Sequence, residues 1–161
     1  MRKLPVALCG LLLLCAPTFA GEYFMWITND PNAPCGKKKA VPGSTGWTIR
    51  SGSEVAEELS SYFKGDAESS TLVDWFPDGH FAFCGRDERA AVYEAILDAA
   101  SLPGLRHEDK LRAVVPYVAS RQLLDAIDRR LAAPARDRKA QRLLRELRVD
   151  AAAAVRRVTL R

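Results

Sequence analysis

A chain of 161 residues, 48% of them hydrophobic, is of the size that forms one domain around one core and is too apolar to remain disordered. Its 24 Lys and Arg against 20 Asp and Glu leave a net charge of only +4, which argues against a protein built to neutralise many phosphates. With two histidines, no Gly-rich phosphate loop and no regular calcium loop, no cofactor and no metal site is expected.

The first twenty residues read as a signal peptide. Arg2 and Lys3 supply the positive start, Leu4 to Cys15 supply an apolar stretch, and Thr18-Phe19-Ala20 offers small residues for cleavage after Ala20. The apolar run is shorter than the roughly 20 residues of a membrane span, and Pro17 follows it. Cys9 and Cys15 each follow a leucine, which disfavours lipidation. The expected organisation is therefore a signal peptide over 1–20 and a single exported domain over 21–161, in the periplasm or secreted. Without Arg2 and Lys3 the charge falls to +2, unevenly spread: residues 21–85 hold five basic and nine acidic residues, and 86–161 hold seventeen and eleven. Cys35 and Cys84 remain. In an oxidising compartment they are expected to pair, and closing such a loop contributes on the order of 4 kcal/mol. Their spacing is not that of a redox Cys-x-x-Cys motif.

Along the exported chain, Glu22 to Ile27 is dense in aromatic and branched residues and ends in the turn cluster Thr28-Asn29-Asp30-Pro31, which predicts a short strand or an apolar plug. Residues 31–52 read as a long connection, within which Gly46-Trp47-Thr48-Ile49 suits a brief strand. A helix is predicted from Ser51 or Ser53 to Phe63 or Lys64: Ser51 and Glu54 match a capping box, Val55, Leu59, Tyr62 and Phe63 form the stripe, and Gly65 stops it. Ser70 to Phe76 reads as a strand, Pro77-Asp78-Gly79 as a turn, and His80 to Cys84 as its hairpin partner. From Arg86 helical periodicity takes over, with Val92, Ala95, Ile96 and Ala99 ahead of a Leu102-Pro103-Gly104 stop. Next come Leu111, Val114, Val115 and Val118, where Pro116 either kinks the helix or begins a new one. Leu123, Leu124, Ile127 and Leu131 follow, and then Ala140, Leu143, Leu144 and Leu147, with the alanine tract 151–154 able to carry the last helix to Val155 and Val158. Each helix has one apolar side, so they must pack on one another. The expected fold is mainly α: a compact bundle of four or five helices with a small strand-containing, disulfide-tethered N-terminal part. The alternative is an α+β domain with a genuine sheet.

Asp74, Asp78 and His80 form the cluster with most chemical potential, since a carboxylate-oriented histidine exchanges protons near neutrality. Asp78-Gly79 is equally an ordinary turn. His107-Glu108-Asp109 is expected to start a helix rather than bind metal. The arginine-rich row over 136–148 reads foremost as a solvated face, with an acidic partner as the competing role. By elimination the expected function is that of an exported, non-enzymatic protein-binding protein, such as a periplasmic inhibitor, an immunity protein or an envelope assembly factor. Its partner is another envelope or secreted protein, with no nucleic acid and no stable membrane insertion. The expected surface anchors are Trp47, Tyr62, Trp75 and Phe76, where the acidic, aromatic half meets the helical half. The alternative is a small cell-envelope hydrolase using His80 with Asp78 or Asp74.

Overall fold

In the computed structural model the described residues are 22–30, 44–76, 81–134 and 137–159, with the side chains of 22–23, 44–47, 74 and 75 set aside. Three strands, β1 (Glu22–Ile27), β2 (Ser44–Arg50) and β3 (Phe81–Phe83), form one sheet in the order β2-β1-β3 with every pairing parallel. Six helices follow or intervene: α1 (Gly52–Lys64), α2 (Thr71–Trp75), α3 (Arg86–Ala100), α4 (Glu108–Val118), α5 (Arg121–Ala132) and α6 (Arg138–Thr159).

Local chemistry explains most boundaries. Ser51 and Glu54 cap α1 reciprocally, and Gly65, at φ 88°, ends it in the left-handed region where a Cβ is unwelcome. Glu58 of α1 then starts α2. Its Oε1 accepts from the Ser70 hydroxyl and the Leu72 N–H, while Ser70 Oγ accepts from the Val73 N–H. That capping turns a segment of strand-like composition into a helical turn. Burial pushes the Glu58 carboxyl up, but hydrogen bonds from Arg50, Ser70 and Leu72 outweigh it and hold the group below its ordinary value.

α1 lies on α3 at close range. A Cβ on Gly52 would stand 2.5 Å from the Glu88 Cα, so only glycine lets the two backbones meet here. Val55, Leu59, Phe63, Val92 and Ile96 are fully buried in this contact layer, and Met25 and Ile27 join the same core from the sheet. α6 runs for 22 residues, about 33 Å, which lets one helix cover both α4 and α5. It buries Leu143, Leu144 and Leu147, then Ala151 and Ala154. Pro116 sits inside α4, and the new helix starts only at Arg121, capped by Ser120.

The architecture corrects the expected one in three ways. The bundle has six helices rather than four or five, because α4 ends at Val118 and a separately capped α5 begins at Arg121, and because 71–75 is helical. The strands form a genuine parallel sheet, not a hairpin: with 71–75 helical, β3 has no antiparallel neighbour and pairs with β1. Among the described residues no disulfide tethers the N-terminal strands. No disulfide joins two described residues: Cys84 is disulfide-bonded, and Cys35 lies outside the described residues. Among the described residues the attachment is made by the ladders, by Thr28 N–H on Arg50 O at 2.8 Å and by Cys84 N–H on Ile27 O at 2.9 Å. Residues 1–20, expected to be a signal peptide, likewise lie outside the described residues.

Candidate functional site

In a parallel sheet the carboxyl ends of the strands, facing helix N-termini, are the usual place for a ligand. Here the chain fills that place itself. The Gly52 N–H donates to Asn29 Oδ1 at 3.0 Å, and the Asn29 N–H donates to Glu88 Oε1 at 2.8 Å. Glu88 is buried, and its other oxygen lies where a Cβ on Gly85 would be. A bound anion would have to displace this network, so the site serves to lock β1 to α1 and α3.

A second concavity lies on the seam between the sheet and the helical half. It is a groove of about 290 Å³, small for enclosing a cofactor and suited to one or two side chains. One wall is β3, touched along all three residues, Phe81, Ala82 and Phe83. Successive strand residues point to opposite faces, so a groove that touches all three runs along the strand's edge. The floor is Arg89 and Tyr93 of α3, and the far wall is the turn from Tyr117 to Ser120 that joins α4 to α5.

Local structure fixes each part. The Tyr93 hydroxyl donates to Val118 O at 3.0 Å and shares a 2.8 Å hydrogen bond with Ser120 Oγ, which in turn accepts from the Leu123 N–H. The α4–α5 turn is thereby pinned to α3. Burial pushes the Tyr93 hydroxyl above its ordinary value, against the opposing pull of Ser120 and the Arg89 charge. Phe83 packs edge-on against Tyr93 and Phe81 against Phe76. Arg89 lies over the Phe83 ring at 5.4 Å, a cation–π contact. Tyr117 stands 49% exposed at the lip.

Several cations of the helical half are paired. Arg130, in a separate concavity at the α5–α6 turn, binds both Glu94 and Asp98; Arg112 binds Glu146 and Asp150; Arg148 binds Asp128. Arg142 and Lys139 of the basic row reach Glu108. Arg89 Nε, by contrast, is buried with no hydrogen-bond partner among the described residues. Among the described residues no acidic side chain lines its groove. An unpaired buried donor of this kind costs about 1–3 kcal/mol, which a structure bears most readily where a ligand completes it.

The expected site residues scatter. Tyr62 and Phe76 are buried in the core at 6% and 0% exposure, so they are not surface anchors; Tyr62 packs on Phe63 and His107, and Phe76 packs on Phe81 of β3. Trp47 sits on β2 and Trp75 and Asp74 on α2, placed by backbone alone. Asp78 and His80, and with them the hydrolase alternative, lie outside the described residues. His107 starts α4 with φ 58° and stacks on Tyr62 at 5.0 Å. Phe83, Arg89, Tyr93 and Tyr117 were not singled out as site residues. The available signal was the alternation of Phe81 and Phe83 in a run too short to pair with a neighbour in sequence.

Among the described residues no group of His, Cys, Asp and Glu is arranged to hold a metal ion, and no helix is long and apolar enough to cross a membrane. Comparison with protein-family models, curated proteins and solved structures finds no match.

Proposed function

We propose that this chain is an exported, non-enzymatic protein-binding protein that recognises another envelope or secreted protein through the groove between β3 and the α4–α5 turn. One observation carries this reading: the groove joins aromatic surface from both halves of the chain around an arginine whose Nε has no partner. Aromatic residues and arginine are the types that dominate interface energetics. The groove is too shallow for a cofactor, but its lip, with Tyr117 outermost, suits an anchor contact.

The test is capture from the cell envelope with quantitative mass spectrometry, comparing the unaltered protein with Tyr117→Ser and with Ala119→Trp, which fills the groove. A partner retained by the former and lost from both variants, with helical content unchanged, supports the reading. Equal capture by all three refutes it.

A further inference from the structure

We infer that the groove takes an extended peptide segment with an acidic side chain, added as a strand to the free edge of β3, the carboxylate meeting Arg89. This rests on the reading of the groove as a recognition surface and names the chemistry of what it recognises. The strand edge is the first ground. The Cys84 N–H reaches Ile27 O, and in a parallel ladder alternate residues face the same neighbour, so Ala82 and Cys84 face β1. The N–H and C=O groups of Phe81 and Phe83 therefore point the other way, along the groove, and no described residue hydrogen-bonds them. Such an edge is a template for strand addition.

Charge is the second ground. Among the described residues Arg89 is the one charged residue lining the groove, with its Nε unpartnered and its guanidinium held over Phe83. A carboxylate placed in the groove pairs with the part of the Arg89 guanidinium that lines it, in a setting where aromatic walls weaken the competition from water. In a strand, residues two apart share a face. The flanking side chains of the added segment thus meet Tyr117 on one side and leave for solvent on the other, which gives the pattern: an acidic residue with apolar neighbours two positions away.

Selection of phage-displayed random dodecapeptides on the purified protein tests this, the peptides being embedded between display residues so that no free carboxyl terminus is offered. The enriched sequences are expected to share an Asp or Glu with β-branched or aromatic residues two positions away. In a synthetic copy, Asp→Asn is expected to weaken binding about 10- to 100-fold, and N-methylation of alternate amides to abolish it. Arg89→Gln should bring the Asp and Asn peptides to equal affinity, while Arg89→Lys preserves the preference in part. No enrichment, enrichment without an acidic residue, indifference to N-methylation, or a preference for Asp that survives Arg89→Gln each overturns the inference. The peptide-side changes read out on unaltered protein, so misfolding of a variant does not decide the matter. If the inference fails while Tyr117→Ser and Ala119→Trp still abolish capture of the envelope partner, the groove remains a recognition surface for a folded partner.

Discussion

Single residues carry two of the firmest energetic statements. Gly52 is required because a methyl group there would fall 2.5 Å from Glu88 Cα and 2.7 Å from its carbonyl oxygen, both backbone atoms that cannot step aside. Gly52→Ala is expected to cost about 1–3 kcal/mol or more, measured by urea unfolding. Gly104→Ala, whose added methyl meets nothing within 4 Å, is expected to stay within about 0.5 kcal/mol. Glu58 makes a pH-dependent contribution. Its folded pKa is depressed below its ordinary value near 4.5, so its stabilisation is complete above the unfolded value and is lost as pH falls through the folded one. Glu58→Gln should therefore lower the urea midpoint at pH 7, and the variant's midpoint should fall less than the parent's between about pH 5 and 3. Equal acid sensitivity in both would show that the ion pair with Arg50 and the cap on α2 contribute nothing.

At the level of elements, what separates legible from illegible is whether the deciding partner is near in sequence. The capping box at Ser51 and Glu54, the stripe of Val55, Leu59, Tyr62 and Phe63 and the stop at Gly65 are all local, and α1 runs between them. The segment after Ser70 reads as a strand by composition yet is helical, because its helix depends on Glu58, twelve residues earlier. Once that segment is helical, β3 loses its expected hairpin partner and crosses to β1 in parallel. The α4–α5 turn shows the same dependence on a distant group, since Tyr93 satisfies Val118 O from 25 residues away. Tyr93→Phe leaves that carbonyl and Ser120 without their partner and should destabilise the fold by about 1–3 kcal/mol. It should also speed amide exchange in 117–123, and unchanged exchange there would contradict the pinning role.

For the molecule as a whole, the groove proposed for recognition lies at the junction expected from the sequence, lined by other side chains than those expected. The junction of the acidic, aromatic half with the helical half is where the groove lies. Tyr62 and Phe76, expected at its surface, are instead buried, Phe76 beneath the groove against Phe81 and Tyr62 against Phe63 and His107, because burial depends on which faces the helices turn to the core. Arg89 is not legible for a complementary reason: among seventeen basic residues in 86–161, nothing local distinguishes the one that, among the described residues, has its Nε buried without an acceptor. The central claim is that partner recognition occurs along β3 and the α4–α5 turn. Hydrogen–deuterium exchange of the protein alone and with its captured envelope partner tests it most directly. Protection of the Phe81 and Phe83 amides together with 117–120 is the predicted result; protection confined to the exposed face of α6, with β3 unchanged, would contradict it.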